Sequence, residues 1–125
     1  MTRAAPDKIV LLCGEFDKLE LSDIRFLQKA KKLGDMLFVG VHSDEWMKLC
    51  RDGSNHTHEQ RREIVGAIED VDAVYTFDDS DGTACQLIKI VKFCFPNSKI
   101  IYASNESMHD MPETRIRGVV IEIIK

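Results

Sequence analysis

Apolar positions along the chain fall into short unbroken runs that alternate with segments of helical spacing. Ile9-Val-Leu-Leu-Cys13 is continuous rather than alternating, as expected of a strand buried on both faces of a parallel sheet, and Gly14 ends it. From Ser22 the spacing changes. Ile24, Leu27, Ala30 and Leu33 share a helical face, Ser22 is placed to cap the helix, and Gly34 to close it in a left-handed conformation. Met36 to Val41 reads as a second buried strand, followed by a short helix from Asp44 to Cys50 and a polar loop, Arg51 to His56.

Thr57 with Gln60 three residues on forms a capping box, which opens a helix through Arg61 to Glu69 whose buried face would carry Ile64, Ala67 and Ile68. Val71 to Phe77 is a third strand. The acidic turn Asp78 to Gly82 reads as solvated, and Thr83 as the cap of a helix bearing Ala84, Leu87, Ile88 and Val91. Lys99 to Ala103 is a fourth strand, and a loop runs from Ser104 to Met111. Pro112 suits the first position of a short helical turn over Glu113 to Arg117, before a last strand, Val119 to Ile124. This alternation predicts an α/β fold: a Rossmann-like, doubly wound parallel sheet of about five strands in a single domain.

The bulk properties narrow the function classes. At 125 residues, 44% apolar and 30% charged, the chain has the length and composition of one globular domain. Its apolar runs fall far short of the roughly 20 residues of a membrane span, and the N-terminal residues lack the order of a secretory signal. A cytoplasmic protein without a membrane partner is expected. Cys13, Cys50, Cys85 and Cys94 form no C-x-x-C, and no spacing among His42, His56, His58 and His109 signals a metal site. The Asp78 to Gly82 turn lacks the closing glutamate of a calcium loop. A net charge of −4 gives no field that would gather a polyanion, which argues against nucleic acid as a partner.

In a doubly wound sheet ligands bind beyond the carboxyl ends of the strands, so the loop after the first strand is the candidate site. It reads Gly14-Glu-Phe-Asp-Lys-Leu-Glu-Leu-Ser-Asp23. This resembles the G-x-F-D-x-x-H-x-G-H signature of the cytidylyltransferase-like nucleotidyltransferases, the group holding glycerol-3-phosphate cytidylyltransferase and the adenylyltransferase of ADP-heptose synthesis. Gly34-Asp35 through Val39-Gly40-Val41, Ser43-Asp44, Glu59-Gln60-Arg61 and Val71-Asp72 are similar to later landmarks of that family, in order.

The resemblance implies that Gly14, Glu15, Phe16, Asp17 and Ser22 belong to a nucleotide site, with Arg51 and Arg61 as phosphate partners, and His42, following the second strand at its carboxyl end, is placed to line the pocket. It also implies a reaction: transfer of a nucleotidyl group from CTP or ATP, with Mg²⁺, to a phosphorylated small molecule, by proteins that are often homodimers. By position, Glu20 and Asp23 stand where the family has its two phosphate-contacting, catalytic histidines, and Ser22 where it has glycine. Asn105 replaces an acid of the loop after the fourth strand, and no I-S-T-T motif occurs before Lys125.

Phosphoryl transfer works by positioning and by compensating negative charge, and two carboxylates do the opposite. At an effective dielectric of about 20, like charges about 4 Å apart repel by roughly 4 kcal/mol. The pattern therefore predicts an impaired or inactive nucleotidyltransferase-fold protein that keeps a nucleotide or small-phosphate pocket. Two alternatives stand beside it. One is a working cytidylyl or adenylyl transferase in which Glu20 and Asp23 act through a metal and Arg61 supplies the missing positive charge, the four carboxylates Glu15, Asp17, Glu20 and Asp23 being the candidate oxygen ligands for Mg²⁺. The other is a structural or interaction subunit.

Overall fold

The computed structural model describes residues 5–105 and 111–124. Five strands, β1 (Lys8–Gly14), β2 (Met36–Val41), β3 (Ala73–Thr76), β4 (Lys99–Ser104) and β5 (Val119–Ile123), form one sheet in the order β3-β2-β1-β4-β5. All four neighbouring pairs are parallel, as the sequence predicts. The helices are α1 (Leu21–Lys31), α2 (Asp44–Arg51), α3 (His58–Gly66) and α4 (Cys85–Cys94), and a 3₁₀ turn spans Pro112–Arg115.

β1 shows why its apolar run is unbroken. Ile9 and Leu11 enter one core with Phe38, Leu87, Ile88 and Ile100, while Val10 and Leu12 enter the opposite core with Leu27, Ala30, Leu37 and Val65. So α1 and α3 cover one face and α4 the other. The chain builds outward from β1 to β3 and then returns to lay β4 on β1's free side, which makes the β1/β4 junction the switch point where such sheets open a crevice.

Four expectations change. Gly34 does not take up a left-handed conformation; α1 ends at Lys32, and a Cβ on Gly34 would sit 2.9 Å from Val10 Cγ2 and 3.0 Å from the Lys8 carbonyl. Close packing, not a turn, requires that glycine. The buried face of α3 carries Arg61 and Val65, with Ile64 and Ala67 exposed, because the arginine is drawn inward by backbone carbonyls. Thr83 does not cap α4 directly: Ala84 holds the cap position, and the Thr83 hydroxyl accepts from the Cys85 N–H at 3.2 Å. β3 is shorter than expected at both ends. Residues 106–110 of the expected Ser104 to Met111 loop, His109 among them, lie outside the described residues. No helix among the described residues is long and apolar enough to cross a membrane.

Candidate functional site

A cleft of about 930 Å³ opens beyond the carboxyl ends of β1, β2 and β4. Its first wall is the loop after β1. Phe16 has φ of 53°, rare for a bulky side chain, and its ring turns back over Gly14, where a Cβ would meet ring carbon Cε2 at 2.9 Å. Asp17 ties this loop to the next one: its carboxylate accepts from the Asn55 N–H at 2.9 and 3.0 Å and from the His56 N–H at 2.9 Å. Desolvation raises the Asp17 pKa, but those backbone donors outweigh it and hold the group below the usual carboxylate value.

Arg61 is fully buried beneath both loops. Nη1 donates to the carbonyls of Glu15 at 2.9 Å and His42 at 2.8 Å, Nε to the carbonyl of His56 at 3.2 Å, and Nη2 to Asp44 at 2.9 Å. One guanidinium thus gathers three chain segments at the carboxyl ends of the strands. Burial pushes the Asp44 pKa up, yet the bond from Arg61 leads the effects that bring it below normal.

The second wall is a relay of side chains. Asp79 is buried at 5% exposure, which corrects its expected place in a solvated turn. It accepts from the Ser43 N–H at 2.8 Å and the Ser43 hydroxyl at 2.7 Å, and lies 2.9 Å from His42 Nδ1. These partners offset the cost of burying a carboxylate. Desolvation raises its pKa, but Ser43 and then His42 lower it further, leaving it below the ordinary range. The His42 ring stacks on Trp46, with centroids 3.9 Å apart and planes 11° from parallel. Arg51 lies over the other ring system at 5.4 Å and pairs with Glu15 at 2.9 Å.

The start of α1 forms the third side. Its cap residue is Glu20, not Ser22, and the Glu20 N–H donates to the Asp23 carboxylate at 2.9 Å. Ser22 is exposed. The four carboxylates of this loop are thereby dispersed: Glu15 to Arg51, Asp17 to the second loop, Asp23 to the helix cap, with Glu20 exposed. Among the described residues no three His, Cys, Asp or Glu side chains converge as a metal site.

The inner wall joins Cys13, Tyr102 and Glu113. Cys13 Sγ lies 3.2 Å from the Tyr102 hydroxyl and 3.8 Å from His42 Nε2, so thiol, imidazole and Asp79 are in line. Desolvation nonetheless raises the Cys13 pKa to about 11, so the thiol stays protonated near neutrality and is not a ready nucleophile. Burial likewise raises the Tyr102 pKa. Glu113, from the 3₁₀ turn, is 3% exposed, and its Oε1 is buried with no hydrogen-bond partner among the described residues.

Of the residues singled out in the sequence, Gly14, Glu15, Phe16, Asp17, Asp23, His42, Arg51 and Asn105 line the cleft. Glu20, Ser22 and Arg61 do not. Sequence reasoning missed Cys13, Asp79, Tyr102 and Glu113. For the first three a signal existed, since each lies at or just past the carboxyl end of a strand; Glu113 carried none.

Comparison with known proteins agrees with this architecture. Residues 11–123 match the cytidylyltransferase-like family. The chain is 41% identical over 87 residues to the bifunctional protein HldE of Nitratiruptor sp., covering 68% of this chain and 18% of that protein. It is 40% identical over 86 residues to the bifunctional protein HldE of Campylobacter fetus, covering 67% and 18%. The chain thus spans under a fifth of the length of these relatives. Among solved structures, the lipopolysaccharide core biosynthesis protein from Thermoplasma volcanium superposes with a TM-score of 0.70 at 20% identity, covering 97% of this chain and 98% of that one.

Proposed function

Because this chain belongs to the cytidylyltransferase-like family, we propose that it is a ligand-binding member whose standard transfer chemistry is impaired, with a pocket for a nucleotide or small phosphate retained in the cleft. The observation that carries this reading is the start of α1. A helix N-terminus favours phosphate through its free N–H groups and its dipole. Here that end is occupied by the protein's own charge: Asp23 accepts from the Glu20 N–H, and Asp23 faces the cleft. An incoming triphosphate meets the Asp23 carboxylate at one of the two positions where the signature has histidines. The cation best placed to compensate is Arg51, which is more than half exposed and reaches over Trp46. Arg61 has its donors directed to carbonyls and Asp44.

Calorimetric titration of the purified protein with CTP and with ATP, each with and without Mg²⁺, tests the proposal. Weak binding without pyrophosphate release, on incubation with a phosphorylated acceptor, is the expected result. Steady pyrophosphate release would replace the proposal with a working nucleotidyltransferase. No affinity for either nucleotide would remove the nucleotide pocket and leave a family member that acts through other ligands or through its surface.

A further inference from the structure

Glu113 stands out because it is buried and no hydrogen-bond partner among the described residues meets its Oε1. A carboxylate taken out of water is costly unless a donor or a cation reaches it. Asp79 shows how this chain meets that cost, with three close contacts to Ser43 and His42. Glu113 is as buried as Asp79, yet no donor among the described residues reaches its Oε1. Its side chain lines the cleft beside Cys13 and Tyr102, whose pKa values its charge helps to raise. Cys13 and Tyr102 are already joined to each other at 3.2 Å.

The surrounding charge has the same sense. Among the described residues lining the cleft, five are carboxylates and two, Lys18 and Arg51, are basic, and Arg51 is paired with Glu15. A buried acceptor without a partner inside an acidic cleft calls for a ligand that brings both a donor and a positive charge. A hydroxyl supplies the bond but not the charge. A hard metal ion held by the protein calls for several converging ligands, and among the described residues no three His, Cys, Asp or Glu side chains converge. An ammonium group needs few acceptors and tolerates irregular geometry.

We infer that the inner wall of the cleft is the seat of a primary ammonium group of a small organic ligand, with Glu113 as the carboxylate that receives it. This goes beyond the proposed nucleotide pocket and rests on it only in treating the cleft as a ligand site. Such a ligand meets Glu113, Tyr102 and the Trp46 and His42 stack within one enclosure.

The test uses the full chain and the fluorescence of Trp46, the single tryptophan, which lines the cleft. The protein is titrated with 1,4-diaminobutane and, separately, with its neutral isostere 1,4-butanediol. Saturable change with the diamine, none with the diol, and a loss of diamine affinity of about tenfold or more in Glu113→Gln is the expected result. Thermal unfolding of Glu113→Gln near the parent midpoint shows that the loss is not one of folding. Glu113→Asp, which keeps the charge but shortens the reach, should fall between the two.

Equal response to diol and diamine would overturn the ammonium, and unchanged diamine affinity in Glu113→Gln would overturn the residue. No response to either compound would overturn the seat itself. The two proposals fail separately. Nucleotide binding without diamine binding removes only this inference, whereas diamine binding without nucleotide binding removes only the nucleotide pocket.

Discussion

Single side chains, more than loop sequence, set the geometry of this cleft. Arg61 has its guanidinium shared among three carbonyls and Asp44, with no exposure to water. Removing it leaves buried acceptors unmet and a void beneath both loops. Arg61→Ala should therefore destabilise the fold by about 3 kcal/mol. Urea unfolding would show it as a lower midpoint at unchanged slope, and a change under about 0.5 kcal/mol would mean the loops hold without it. Asp79 makes a second case, through pH. Its folded pKa lies below its unfolded value near 3.9, so its contribution is fully present above that value and is lost as pH falls through the folded pKa. Asp17 and Asp44 are depressed in the same direction. Unfolding midpoints measured from pH 6 down to pH 3 should fall steeply below about pH 4, and Asp79→Asn, already less stable at pH 6, should flatten that limb. Parallel acid limbs in the two proteins would place the acid sensitivity elsewhere.

At the scale of elements, the start of α1 carries the protein's own carboxylates at the place where a helix N-terminus would otherwise favour an anion. The bond from the Glu20 N–H to Asp23 helps to start the helix, and such a cap contributes about 1 kcal/mol. Replacing both acids, Glu20→His with Asp23→His, should trade that contribution for affinity: the melting point falls, while ATP binding tightens by about tenfold in calorimetry. Lower stability with no gain in affinity would mean the pocket has lost more than its histidines. The elements themselves were legible where burial is two-sided and local. β1 and β2 announce themselves as unbroken apolar runs, and the Thr57 and Gln60 capping box forms as its spacing predicts. The inward face of α3 was not legible, because an arginine is assigned to solvent unless the carbonyls that would receive it are known, and those belong to Glu15, His42 and His56. Gly34 misled for a related reason: its requirement comes from β1, across the core, and not from its own turn.

Over the whole molecule, the sequence pattern of a doubly wound sheet pointed to the loop after the first strand, and a cleft opens there, at the β1/β4 junction. What it could not supply was the inner wall. Glu113 reaches the cleft from the far end of the chain, on a turn preceding the edge strand β5, and no periodicity connects it to Cys13, 100 positions earlier. The field, by contrast, is legible from composition and sharpened by structure: a net charge of −4 on the chain, with an acidic excess lining the cleft. Much of the barrier to a polyanion is then repulsion across solvent, which salt screens over about 10 Å at 0.1 M. The affinity gained by Glu20→His with Asp23→His should accordingly be largest at low ionic strength and shrink as salt is raised from about 0.05 M to about 0.5 M. Calorimetric ATP titrations of both proteins across that range measure the difference. A gain that persists undiminished would assign it to direct imidazole contacts with phosphate rather than to relief of the acidic field.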